Sequence, residues 1–167
     1  MTEQKMISVI LPTYNESENI RVIVPRIAEV LRDSGLEWEI IIVDDDSPDG
    51  TAEVAAQFTG TFPIKIHVRK NKRGLATAVV KGFSLSSGDI CIVMDADLSH
   101  PVEKIPDMVK PILEGACDAT VGSRYIDQGG WKNQPLIRKL ISKFSGLLAR
   151  GLSKLSDPTS GFMALKK

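Results

Sequence analysis

The chain predicts an α/β fold: a mainly parallel sheet flanked by helices. Three observations point there. Short, continuous, β-branched runs recur along the sequence. Stretches of helical periodicity separate them, the alternation expected of βαβ units. Polar clusters follow three of the runs, and the C-terminal ends of parallel strands are where such sheets bind ligands.

The elements follow in order. Met6–Leu11 (MISVIL) reads as a strand buried on both faces, closing at Pro12. Asn15 with Glu18 three residues on suggests a capping box. Ile20, Ile23, Val24, Ile27, Val30 and Leu31 then recur at helical spacing as far as Gly35. Glu39–Val43 (EIIIV) is a second strand, followed by Asp44, Asp45 and Asp46. Thr51–Phe58 reads as a short helix and Ile64–Val68 as a third strand. Gly74–Ser86 places Leu75, Ala78, Val79 and Phe83 at helical spacing. Asp89–Met94 is a fourth strand ending at Asp95. Pro101 suits the first turn of a helix reaching Gly115, with Pro106 and Pro111 kinking or splitting it. Asp118–Gly122 is a fifth strand, Gly129 and Gly130 mark a loop, and Leu136–Leu155 reads as a basic amphipathic helix.

Composition narrows the class. The chain has 167 residues, 43% hydrophobic and 25% charged, the mix of one soluble domain with a real core. No run of about 20 apolar residues could span a bilayer, and the acid-bearing start is unlike a secretory signal. Cys91 and Cys117 stand far apart without a CxxC partner, so neither a disulfide nor a zinc site is expected, and a reducing compartment is the default. Zero net charge hides an asymmetry. Residues 1–60 hold twelve acids and four bases, whereas residues 128–167 hold one acid and eight bases. A basic final third suggests an anionic partner such as phosphate or an anionic membrane. Nucleic acid is disfavoured, because aromatics are only 5% and the acidic first third would repel a polyanion.

Two carboxylates, Asp95 and Asp97, follow a strand at a spacing that puts both on one side of extended backbone. They repel each other unless a cation lies beside them. A hard divalent ion takes oxygen ligands and keeps positions open for phosphate oxygens. Turn chemistry explains Ser47, Pro48 and Gly50 in the run Asp44–Thr51, with Asp49 a candidate cap. It does not explain three adjacent acids, one of which could accept from a base N–H or a ribose hydroxyl. Tyr14 and Glu16 could stack on and hydrogen-bond a nucleoside. Arg124 follows the fifth strand, where a guanidinium could pair with phosphate. Arg138 lies on the basic helix. His100 fits a turn better than a metal. No G-x-G-x-x-G follows the first strand, which argues against a dinucleotide oxidoreductase.

The segments ISVILPTYNESENI, IIIVDDDSPDGTAEVA, KRGLATAVVKGF, SGDICIVMDADLSHPVEKIP and VGSRY resemble the inverting, GT-A-fold glycosyltransferases of the family 2 type. The narrower resemblance is to dolichol-phosphate and polyprenol-phosphate mannose synthases. It runs from Met6 to the DPTSGF segment ending at Phe162. It implies a Rossmann-like nucleotide-diphospho-sugar transferase fold. Pro12, Tyr14 and Glu16 would line the nucleotide pocket, and Val43 and Asp45 would contact the base. Asp95, Ala96, Asp97 and Leu98 would surround the diphosphate and a Mg²⁺ or Mn²⁺ ion, Asp97 being the principal ligand. Ser99 stands where relatives often carry Gln; its shorter reach argues against direct ligation, though it lies near the acceptor phosphate. Arg124 and Arg138 would bind the donor diphosphate or the acceptor phosphate.

The implied reaction moves a hexose, most often mannose from GDP-mannose, with inversion onto a polyprenyl phosphate. The acceptor is already an anion, so no general base is required; positioning and charge shielding do the work. A lipid acceptor also suits the basic final third, whose helix could lie on an anionic surface. The implied setting is the cytoplasm, at the cytoplasmic face of a membrane. Members of the family continue beyond the SGF segment, so residues 1–167 are expected to form one catalytic domain cut short at its C-terminus. Two alternatives stay open: a transferase taking a UDP-sugar to a saccharide acceptor, and a nucleotide-sugar-binding module inactive in this length of chain.

Overall fold

A computed structural model describes residues 5–122 and 160–167. A six-stranded sheet runs β3-β2-β1-β4-β6-β5. Strands β1 (Met6–Thr13), β2 (Glu37–Asp44), β3 (Ile64–Val68) and β4 (Ile90–Val93) are mutually parallel. Strand β6 (Met163–Lys166) lies antiparallel between β4 and β5 (Ala119–Val121). The five expected strands are present, within a few residues of their expected ends. The sixth, MALK, is an addition that the sequence reading lacked.

Period-two alternation decides which side chains meet which helix. Ile7, Val9 and Leu11 of β1, Ile40 and Ile42 of β2, and Ile90 and Ile92 of β4 fill one core. That core is closed by helices α1 (Ser17–Asp33), α2 (Thr51–Ala56) and α4 (Ile105–Leu113). Ile10, Ile41, Val43, Cys91 and Val93 form a second core with Ala78 of α3 (Leu75–Leu85). Helix α3 sits very close to the sheet, because Gly82 has no side chain: a Cβ there would lie 2.3 Å from Ile10 Cγ2.

Two local expectations are corrected. Asn15 does not cap α1. It adopts φ 59°, and Glu16 occupies the cap position without a side-chain cap bond. The loop after β2 does that work instead, as described below. The helix expected from Pro101 divides into a 3₁₀ turn at Val102–Lys104 and then α4. Pro106 falls in the first turn of α4, where a missing N–H costs nothing. The expected loop at Gly129–Gly130 and the basic helix Leu136–Leu155 lie outside the described residues, as do Arg124 and Arg138. Cys91 and Cys117 are both free thiols.

Candidate active site

The strand order reverses at β1. The chain passes from β1 to β2 on one side, and β4 pairs with β1 on the other. A crevice therefore opens beyond the C-terminal ends of β1 and β4, the usual ligand position in an open α/β sheet. The loop Tyr14–Glu16 forms one lip and the segment Asp95–His100 forms the other.

Hydrogen bonds lace the first lip to the loop after β2. Thr13 Oγ1 donates to Asp44 Oδ1 at 2.8 Å, and Ser47 Oγ donates to the same oxygen at 2.6 Å. The Asn15 N–H donates to Ser47 Oγ, and the Glu16 N–H to Thr51 Oγ1. Asp49 accepts from the Ser17 N–H at 3.0 Å through one oxygen and from the Thr51 N–H at 3.1 Å through the other. One carboxylate thus serves the first turns of both α1 and α2, where helix N–H groups lack partners. Those hydrogen bonds outweigh burial and hold the Asp49 carboxyl below its ordinary value.

The three adjacent acids divide by face. Asp44, in step with Ile40 and Ile42, is a buried hub for the laced loops. Asp45, in step with Ile41 and Val43, turns to the α3 side and meets Arg69. The pair is buried, with side chains 8% and 5% exposed. Arg69 Nε donates to Asp45 Oδ1 at 2.6 Å, and the Gly74 N–H donates to Asp45 Oδ2 at 2.9 Å. The remaining guanidinium nitrogens donate to Thr77 Oγ1 and the Gly74 carbonyl. Asp46 is exposed, in the left-handed region with φ 56°.

Arg69 was not picked out by motif. Its signal was its position directly after a strand, in a cationic loop at the sheet edge that also carries Asp45. Its neighbour Arg73 holds its guanidinium carbon 4.5 Å from the Tyr14 ring centroid, a cation–π stack across two loops. Tyr14 remains 40% exposed. The Val43 and Ala96 side chains are buried in the core clusters.

On the other lip, β4 ends at Val93; Asp95 lies just beyond it and Asp97 sits in the bend at residues 96–98. The Ser99 N–H donates to Asp97 Oδ1 at 3.0 Å, and Leu98 adopts φ 62°. His100 Nε2 lies 3.3 Å from Asp95 Oδ2, and its ring stacks on Phe162 at 5.2 Å. Gly161 lies against the same carboxylate; a Cβ there would come within 2.5 Å of Asp95 Oδ2.

The lips are coupled electrostatically. Burial raises the pKa of Glu16 and the charges of Asp97, Asp49 and Asp95 add to it, against a hydrogen bond from Asn19. This concentration of acid fits a divalent cation. Among the described residues no group of three or more His, Cys, Asp or Glu side chains is arranged to hold a metal ion. Two carboxylates alone suit Mg²⁺ or Mn²⁺ when phosphate oxygens and water complete the shell.

Comparison with known proteins agrees with this geometry. The profile of the family described as Glycosyl transferase family 2 matches residues 8–167. The chain belongs to that family. A dolichol-phosphate mannosyltransferase of Pyrococcus furiosus is 46% identical over 165 residues, covering 96% of this chain and 46% of that protein. One from Saccharomyces cerevisiae is 40% identical over 163 residues, covering 96% of this chain and 60% of that protein. The chain thus spans about half the length of these curated relatives.

Two solved structures share the fold. Mannosyl-3-phosphoglycerate synthase from Rubrobacter xylanophilus superposes with a TM-score of 0.72 at 21% identity, over 97% of this chain and 53% of that one. Glucosyl-3-phosphoglycerate synthase from Mycobacterium tuberculosis, in complex with Mn²⁺, UDP-glucose and phosphoglyceric acid, gives 0.73 at 23% identity, over 97% and 57%. The architecture is the GT-A fold that the sequence resemblance implied. No helix among the described residues is long and apolar enough to cross a membrane.

Proposed function

We propose that the chain binds a nucleotide-diphospho-sugar in the β1–β4 crevice and transfers its hexose, with inversion, to a polyprenyl phosphate. Mannose from GDP-mannose is the donor this reading favours. The observation that carries it is the placement of Asp95 and Asp97 just beyond the end of β4, on the lip of the crevice opposite the Tyr14–Glu16 loop. The naming of the archaeal and yeast relatives as dolichol-phosphate mannosyltransferases supports the choice of acceptor and sugar.

Asp97, with Asp95, would hold Mg²⁺ or Mn²⁺. When bound, the ion supplies charge neutralisation for the diphosphate as the sugar departs. The chain's own residues do the rest. Tyr14, stacked under Arg73, offers a face to the nucleoside base. Asp45, fixed by Arg69, has accepting capacity left for a base N–H. Glu16 is positioned for hydrogen bonding on the first lip. His100 and Gly161 set the rotamer of Asp95. Arg124 and Arg138 are assigned to the phosphates by resemblance alone. The acceptor phosphate attacks as an anion, so the site needs no general base.

Calorimetry tests the reading. GDP should bind more tightly with Mn²⁺ than without, and Asp97→Ala should abolish the difference. Transfer of radiolabelled mannose from GDP-mannose to a polyprenyl phosphate tests the activity itself. Equal GDP affinity with and without metal, or binding of UDP-sugars alone, would remove this donor assignment.

A further inference from the structure

From Val54 to Gly88 the chain contains no acid and six bases. The fold gathers five of these around one concavity. A cavity of about 750 Å³ is lined by Arg69, Lys70, Lys72, Arg73 and Lys81, together with His67, Val68, Asn71 and Thr77. Arg69 is committed to Asp45 and Arg73 to Tyr14. Lys70, Lys72 and Lys81 make no ion pair among the described residues. Three ammonium groups without ion pairs on one rim present a local positive potential that favours an anionic surface.

Beside that rim the protein exposes apolar side chains. Leu75 is 58% exposed and Val80 is 67% exposed, both on α3; Val68 is also exposed. Val80 lies on the side of α3 opposite Ala78 and Gly82, which bury against the sheet. Neither residue contributes to a core cluster. Basic side chains beside solvent-facing leucine and valine match the two halves of an anionic membrane surface: headgroup phosphate and upper acyl chain. A nucleic acid would reward the lysines but not the solvent-facing Leu75 or Val80.

We infer that the β3–α3 loop and the outer face of α3 form a docking surface for anionic lipid headgroups. It holds the crevice, which opens at the same edge of the sheet, against the membrane. The inference rests on the polyprenyl-phosphate reading, because only a membrane-borne acceptor gives that docking a purpose.

The test is co-sedimentation of the chain with phosphatidylcholine vesicles, with and without phosphatidylglycerol. The comparison is the triple variant Lys70→Gln/Lys72→Gln/Lys81→Gln. Each basic side chain near an anionic surface strengthens partitioning about fivefold, so the triple variant should bind roughly 100-fold more weakly. It should also lose part of the salt dependence. Leu75→Ser/Val80→Ser should weaken binding several-fold while keeping the salt slope. GDP affinity should be unchanged in both variants. Parent-like vesicle binding by the triple variant would overturn the inference. So would release from vesicles by millimolar inorganic phosphate, or a preference for single-stranded RNA over vesicles. The acceptor reading fails separately, through absence of mannosyl transfer to detergent-dispersed polyprenyl phosphate.

Discussion

Gly161 and Asp95 share a space that no side chain on residue 161 can enter. A Cβ there would stand 2.5 Å from Asp95 Oδ2 and 3.0 Å from its Cγ. His100 approaches the same oxygen from the other side. The carboxylate proposed to serve a metal is therefore steered by two residues far apart in sequence.

Gly161→Ala should displace the Asp95 carboxylate. Groups that orient metal ligands typically change metal affinity by 10–100-fold when mutated. Calorimetry should show Mn²⁺-dependent GDP binding weakened at least ~10-fold, with metal-free GDP binding unchanged. Unaltered Mn²⁺ dependence would mean that Asp95 plays no part in the metal site.

Arg69→Met should leave Asp45 buried and unpaired. Breaking a buried pair from one side costs about 3–5 kcal/mol. The double variant Asp45→Leu/Arg69→Met should regain most of that stability, since a well-packed apolar pair can replace an ionic one. It should still bind nucleoside poorly. Urea denaturation of the four proteins in the cycle, with calorimetry for guanosine, separates the structural role of the pair from its ligand role.

Glu16→Gln should stabilise the metal-free protein. The folded state holds the Glu16 pKa above its ordinary value. Its ionised form is therefore disfavoured in the fold, and stability is lost as pH rises through the carboxylate range. Neutralising it should raise Tm at pH 7 and weaken Mn²⁺–GDP binding. A lower Tm would show that the hydrogen bond from Asn19 outweighs the repulsion.

Glu39 carries the opposite sign. Burial acts to raise its pKa, but hydrogen bonds from Lys65, the Ser87 N–H and Ser8 prevail and lower it. Stability from this group is complete above the ordinary value of 4.5 and is lost as pH falls through the lower folded value. Tm followed by circular dichroism from pH 7 to pH 3 should decline more steeply for the parent than for Glu39→Gln.

The strands and helices were legible because their periodicity is local. The β6 strand was not: four residues of MALK carry little pattern, and their partners are residues 90–93. The acids of the site were visible as clusters, but their division of labour was not. Asp44 and Asp45 are neighbours in sequence, yet the alternation of β2 sends them to opposite faces. The partner of Asp45 lies 24 residues away and belongs to no motif. Strand β4 stops at Val93, so the placement of Asp95 and Asp97 depends on the loop that follows rather than on the strand pattern.

The antiparallel insertion of β6 also bears on how the protein is born. Strand β4 leaves the ribosome about 70 residues ahead of its neighbour β6, and among the described residues β5 joins the sheet through β6. At 5–20 residues per second, the rim of β4 stays bare for roughly 4–14 s during synthesis. An unpaired strand edge is a template for wrong pairing. Slowed elongation after residue 93 should therefore increase aggregation of the nascent chain.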